Sequence, residues 1–141
     1  MTARSPGPAG LWWALAAALG SLAWVFLYIV ALSGEGQEPS ARSAFVASFV
    51  LGTAAAVLVG PFLRHPVAKT ALPSAAAAGQ LAWAVLGGFS VGLPLLLPAA
   101  CSTIVAAVNA EAQGGPVGVA VGVLGSLAIV VLGLALTVAG R

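Results

Sequence analysis

Four long stretches of the chain are apolar and almost free of charge, and short polar segments separate them. These runs cover residues 11–32, 43–63, 75–110 and 117–139. An α-helix rises about 1.5 Å per residue, so about 20 apolar residues cross a hydrocarbon core of roughly 30 Å. The first, second and fourth runs have this length. The pattern therefore predicts membrane-spanning helices at about 11–32, 43–63 and 117–139.

The third run is too long for one straight span, because a helix of that length would measure about 50 Å. Pro94 and Pro98 lie inside it. Proline cannot donate the helical hydrogen bond to the carbonyl four residues earlier. The carbonyls of Ser90 and Pro94 would therefore lose their donors. We expect one span at about 79–99, kinked at Pro94 and Pro98, with a continuation to residue 110.

Two other interpretations of the runs, barrel strands and a cleaved signal peptide, fit their length less well. Strands of a membrane barrel are about ten residues long and alternate polar with apolar positions, whereas these runs are longer and continuously apolar. A cleaved signal peptide, which would follow the basic Arg4, has an apolar region of about 7–15 residues. That is shorter than the first run. The predicted fold is therefore all-α, with residues 1–141 forming a single four-helix transmembrane bundle.

The segment at residues 64–74 is the most polar and basic part of the chain. Pro66 and Pro73 argue against a continuous helix there, so we expect a loop. Ser74 is a candidate N-cap for the helix that follows, since serine side chains accept hydrogen bonds from helix N–H groups.

Composition agrees with a membrane setting. Charged residues make up 6% of the chain and hydrophobic residues 61%, whereas a soluble domain has about 25% charged residues. So few charges cannot cover a soluble surface. The net charge of +2 is small and scattered, which excludes the clustered Lys and Arg of a nucleic-acid-binding surface.

The charged residues predict an orientation. Four spans would place both termini and residues 64–74 on one side of the membrane. That side would hold Arg4, Arg64, Lys69 and Arg141, and the other side Arg42, Glu35, Glu38 and Glu111. Because cytoplasmic segments carry the excess of Lys and Arg, we expect a protein of the plasma membrane with both termini in the cytoplasm.

Small residues recur four positions apart, which places them on one helix face. They are Gly88 and Gly92 in the third run, and Gly114, Gly118, Gly122 and Ser126 in and before the fourth. Small residues let helix backbones approach closely in lipid. The simpler interpretation is packing within this bundle. The alternative is a face that binds a second copy or a partner membrane protein.

The break expected at Ser90, Pro94 and Pro98 also has two interpretations. Discontinuous helices line the substrate sites of many transporters. A kink that only shapes the bundle is the simpler interpretation, because proline is common in membrane helices.

The chain offers little chemistry. The polar residues that we expect within the membrane are not ionisable; they are Ser21, Ser48, Thr53, Gln80, Ser90, Ser126 and Thr137. Proton- or ion-coupled transport usually needs an ionisable group within the spans. His65 has no second His or Cys near it, so neither a metal site nor a catalytic dyad is supported. We expect no catalytic, cofactor-binding or metal site.

Three functions fit these observations to different extents. The first is a non-enzymatic accessory or interaction component that works through helix packing in the lipid bilayer, with a membrane protein or a second copy as partner. The second is a small oligomeric transporter or channel subunit. The third is an interfacial enzyme acting on lipids or quinones, for which only Arg64, His65 and Lys69 come close to a site. The missing ionisable groups favour the first.

Overall fold

A computed structural model describes residues 8–34, 36, 40–87, 92–110 and 115–139. Within these ranges the regular structure is helical and no strand occurs, which confirms the all-α prediction. The α-helices are α1 (Pro8–Gly34), α2 (Ala41–Val59), α3 (Pro66–Leu86), α4 (Leu96–Asn109) and α5 (Gly115–Ala139). Two 3₁₀ turns, Gly60–Phe62 and Leu93–Leu95, extend α2 and precede α4.

Three of the helices are long and apolar enough to cross a membrane. They are Ala9–Gly34, Ala41–Phe62 and Gly115–Ala139, with mean hydropathies of 2.2, 2.0 and 2.7. They correspond to the first, second and fourth predicted spans. By length and composition, the chain is a membrane-embedded helical protein.

The third apolar run differs from its prediction. α3 already begins at Pro66 and ends at Leu86, and a separate apolar helix covers Leu93–Asn109. The predicted span at 79–99 is therefore wrong at both ends, and the bundle contains a helix pair where one kinked helix was expected.

The prolines of residues 64–74 are compatible with a helix for local reasons. Pro66 occupies the first turn of α3, with His65 at the N-cap position, and a proline there removes an N–H that has no helical acceptor anyway. Pro73 lies inside α3 and leaves the carbonyl of Lys69 without its helical donor. The side-chain amide of Asn109 donates to that carbonyl instead, at 3.1 Å. The predicted loop is therefore helical.

Pro94 and Pro98 likewise start a helix and do not kink one. Pro94 lies in the 3₁₀ turn before α4, and Pro98 is the third residue of α4. The first four N–H groups of a helix have no intrahelical acceptor, so a proline costs little at these positions. Ser90, the third member of the predicted break, lies outside the described residues.

α3 is the central helix of the bundle. It packs against α2, α4 and α5, while α1 packs against α2 and α4. Two apolar clusters mark the ends of the bundle. The cluster at the Trp83 end contains Trp24, Val46, Trp83, Leu95 and Val130. The cluster toward the Lys69 end, where α3 begins, contains Ala14, Val57, Ala76, Cys101 and Val105.

These clusters fix the path of the chain. α1 starts at the Lys69 end and finishes at the Trp83 end, and α2, α3 and α4 then alternate in direction. α5 runs parallel to α3, because Gly118 lies against Thr70 whereas Val130 joins the Trp83 cluster. The start of α1 and the end of α5 are therefore at opposite ends of the bundle. The predicted four-crossing path, with both termini on one side, does not match this arrangement.

Candidate functional site

Gln80 joins four helices at the centre of the bundle. Its side chain is fully buried on α3. Nε2 donates to Ser21 Oγ of α1 at 2.9 Å and to Thr53 Oγ1 of α2 at 3.1 Å. Oε1 accepts from Ser102 Oγ of α4 at 3.1 Å. Hydrogen bonds of this kind hold helices together in lipid.

This network is closed. Ser21, Thr53 and Ser102 each also lie 2.7–2.8 Å from a carbonyl oxygen of their own helix. Those carbonyls belong to Ala17, Val50 and Pro98. Both amide hydrogens and the amide oxygen of Gln80 are paired within the protein. The arrangement therefore explains helix packing and leaves no amide group of Gln80 unpaired for a ligand.

The sequence shows polar residues inside the apolar runs, but it does not show that their side chains contact one another. Ser21, Thr53 and Gln80 interrupt three different apolar runs at interior positions. The sequence therefore indicated only that these three residues lie at similar depths in the membrane. Whether residues of the same depth face one another depends on the rotation of each helix about its axis, which polar spacing alone does not give.

Two members of the predicted small-residue face pack inside the chain. A Cβ at Gly118 would come within 2.8 Å of Thr70 Cβ, and one at Gly122 would collide with the backbone of Ala71. α5 can therefore lie directly against α3 at these positions, as small residues allow. At Gly118 and Gly122 this face therefore contacts α3 of the same chain. Gly114 lies outside the described residues.

The other predicted pair is only partly described. Gly92 precedes α4, and a Cβ there would collide with the carbonyl of Ala84 on α3. This close approach fits the turn between the two helices. Gly88 lies outside the described residues.

A groove of about 400 Å³ runs between α2 and α5, with α3 as its floor. We call it the α2–α5 groove. Its small lining residues are Gly52, Ala56, Ala71, Ala75, Ala76, Gly122, Gly125 and Ser126. Phe49 and Ile129 also line it.

Gly52 and Gly125 stand out among the residues of this groove. A Cβ built at either position would meet no atom within 4 Å. The packing of this chain therefore gives no reason for glycine at these two positions, in contrast to Gly118 and Gly122. The four-residue spacing in the sequence identified Gly118 and Gly122, which pack against α3. It did not identify Gly52 and Gly125, which have open space beside them.

Ser126 adds an unpaired polar group to the same groove. It is only 3% exposed, and its Oγ has no hydrogen-bond partner. A buried hydroxyl without a partner costs free energy, and in lipid no water is present to pair with it. The groove thus combines a floor of small residues with one unsatisfied hydroxyl.

The described part of the chain was predicted to offer few ligands for a metal ion. No group of three His, Cys, Asp or Glu residues there could hold a metal ion. Cys101 is buried and free, and Lys69, expected in a loop, is 8% exposed on α3. Comparisons with protein-family models, with curated proteins and with solved structures find no match to this chain.

Proposed function

We propose that this protein is a non-enzymatic interaction component of the membrane, and that it binds a transmembrane helix of a partner protein in the α2–α5 groove. The observation that carries this proposal is the open space beside Gly52 and Gly125. Glycine leaves room for a close backbone approach, and none of the described residues of this chain fills the space beside these two positions.

The physics of helix association in lipid supports such an occupant. Lipid tails are as apolar as leucine, so helices associate through close packing and interhelical hydrogen bonds. The floor of alanine and glycine permits a close backbone approach. Ser126 lines the groove, and its buried hydroxyl lies beside Gly79 of α3. An ordinary lipid-facing surface lacks such a floor of small residues.

A different protein fits the groove better than a second copy. A twofold dimer brings the same surface patch of each copy together. Two concave grooves facing one another would enclose a void, and voids forfeit packing energy. A single helix entering the groove fills it. The partner is therefore a transmembrane helix from another membrane protein.

The polar centre around Gln80 is the observation that favours a small transporter or channel subunit. It brings amide and hydroxyl groups to the middle of the bundle, where a transported molecule would need them. Those groups are, however, paired with one another. Flux of small solutes into liposomes that contain the purified protein would support this second function.

The orientation we propose follows the path of the chain. Arg64 and Lys69 lie at the Lys69 end, and Arg4 precedes α1, which starts there. Arg42 lies at the Trp83 end, and Arg141 follows α5. This distribution favours the Lys69 end as the cytoplasmic side of the plasma membrane. The carboxyl end of α5 then faces the opposite side, which replaces the expectation that both termini are cytoplasmic.

Co-purification with groove variants tests the proposed function. Gly52→Leu and Gly125→Leu place a bulky side chain in the groove at positions where an added Cβ meets no atom within 4 Å. Gly10→Leu is the matched control, since Gly10 is also open but lies in the first turn of α1, away from the groove. We expect a stoichiometric membrane protein to co-purify with the wild type and with Gly10→Leu, and to be lost from both groove variants.

Two results would contradict the proposal. One is a partner retained equally by all four proteins, since the groove would then play no part. The other is a native mass that is a multiple of the chain and falls to the monomer in Gly125→Leu. That result would make a second copy the occupant.

A further inference from the structure

A second cavity, of about 230 Å³, opens at the Trp83 end between α1, α2 and α3. It shares no lining residue with the α2–α5 groove. Its lining includes Trp24, Tyr28, Arg42, Trp83 and Leu86. Aromatic rings, one cation and an apolar rim thus meet in a single cavity.

One of the residues that line the cavity carries an unsatisfied hydrogen-bond donor. Trp83 is 5% exposed, and its indole Nε1 has no hydrogen-bond partner. Buried polar groups are nearly always paired, so each exception calls for an explanation. An indole N–H can only donate, so a ligand that pairs with it from the cavity must offer an acceptor atom.

One cation lines the same cavity, at the start of a helix. Arg42 lines it and is the second residue of α2. The N-terminal N–H groups of a helix lack intrahelical acceptors and carry a partial positive charge, which favours anions. Arginine pairs with phosphate through two parallel hydrogen bonds. An anionic acceptor group fits this setting better than a neutral or cationic one.

The aromatic side chains of the cavity fit a position near the lipid headgroups. The rings of Trp24 and Tyr28 stack with centroids 4.9 Å apart and planes 11° apart. Trp and Tyr concentrate at membrane–water interfaces, where their rings contact both apolar and polar groups. Ser40, the N-cap of α2, and Arg42 mark the same end of the bundle.

We propose that this cavity binds the phosphate headgroup of a membrane phospholipid. Sites that engulf a whole ligand usually measure about 300–1,000 Å³, so this cavity suits a headgroup alone. Leu86 lines it and is 53% exposed, which gives the acyl chains an apolar surface to follow. Arg42 and Trp83 hold the phosphate oxygens.

Titration of the delipidated protein in detergent, followed by native mass spectrometry, tests the proposal. The probes are phosphatidylglycerol, diacylglycerol with the same acyl chains, and inorganic phosphate as a competitor. Arg42→Gln removes the cation, Arg42→Lys keeps its charge, and Trp83→Phe removes the indole N–H. Arg64→Gln is the matched control, because Arg64 is an exposed cation near the Lys69 end. Thermal melting of each variant checks that it is folded.

The expected result is one saturable phosphatidylglycerol, with affinity reduced at least about tenfold in Arg42→Gln and less in Arg42→Lys and Trp83→Phe. Arg64→Gln should bind within about twofold of the wild type, and diacylglycerol should not bind. Equal losses in Arg42→Gln and Arg64→Gln, or no loss in Arg42→Gln, would overturn the site. Displacement by inorganic phosphate at matched concentration would overturn the lipid as its source. Because Arg42 is exposed, its variants decide the outcome even if Trp83→Phe does not fold.

Discussion

The side-chain amide of Asn109 donates a hydrogen bond to the backbone carbonyl of Lys69, 3.1 Å away. This bond ties the end of α4 to the first turns of α3, so the two helices form an antiparallel pair. It also explains how α3 tolerates Pro73, whose missing N–H leaves that carbonyl without a helical donor. The four-span topology predicted from the sequence instead puts residues 64–74 and Glu111 on opposite sides of the membrane.

The first prediction concerns this replacement of a donor. Asn109→Ala should lower the free energy of unfolding by about 1–2 kcal/mol, because the Lys69 carbonyl loses its partner. In a Pro73→Ala background the same substitution should cost much less, since residue 73 can then donate to that carbonyl. Thermal unfolding of the four proteins in detergent forms a double-mutant cycle. Equal costs in both backgrounds would contradict the account.

The second prediction concerns the polar centre. Gln80→Met keeps an unbranched side chain of similar length but removes three interhelical hydrogen bonds. Such bonds contribute about 0.6 kcal/mol each on average in a membrane protein, so we expect a loss of about 2 kcal/mol. Ser48→Ala is the control, because Ser48 is an exposed polar residue on α2. A Gln80→Met protein as stable as the Ser48→Ala control would show that the network adds nothing.

The third prediction separates two glycines of the same helix. Gly122→Ala should destabilise the protein by about 1–3 kcal/mol, since the added Cβ would collide with the backbone of Ala71. Gly125→Ala meets open space and should be neutral or stabilising by up to about 1 kcal/mol, because alanine has the higher helix propensity. Melting temperatures of the two variants without a partner would check the difference. Similar values would mean that Gly122 does not contact α3 as described.

The fourth prediction concerns the path of the chain. With Cys101 replaced by alanine, single cysteines at Ala9 and Ala139 should react with an impermeant thiol reagent from opposite sides of the membrane. The reason is that α1 starts and α5 ends at opposite ends of the bundle. Labelling of intact cells and of inverted vesicles gives the two sides. Reaction of both positions from one side would restore the four-crossing topology.

Hydropathy predicted three helices correctly because α1, α2 and α5 present much of their surface outward. Less than 40% of the apolar window in each of these helices is buried inside the protein. Hydropathy did not predict α3 with its observed bounds, because other helices enclose it. Lys69, Thr70, Ser74 and Gln80 are buried against protein there, so its sequence is more polar and resembles a loop.

Proline misled the prediction twice for the same physical reason. Pro66 and Pro98 occupy first turns of helices, where no helical hydrogen bond is lost. Sequence alone does not show whether a proline lies at a helix start or inside a helix. At Pro73, which does lie inside one, the compensating donor comes from Asn109 on another helix.

The sequence predicted the type of feature at the candidate site, which is close helix packing, but not its position. Spacing of small residues indicated that close helix packing matters in the fourth run, and α5 does approach α3 closely at Gly118 and Gly122. Which glycines remain open depends on where each helix ends up. Gly52 and Gly125 line the same groove because α2 and α5 both pack against α3.

Site-specific photo-cross-linking in native membranes tests the central claim most directly. A photoreactive amino acid at Ile129 would lie in the α2–α5 groove, whereas one at Val131 would lie on the exposed side of α5, away from it. We predict one adduct of defined mass, containing a different membrane protein, from position 129 and none from position 131. Adducts of equal yield from both positions, or no adduct from position 129, would contradict a partner helix in this groove.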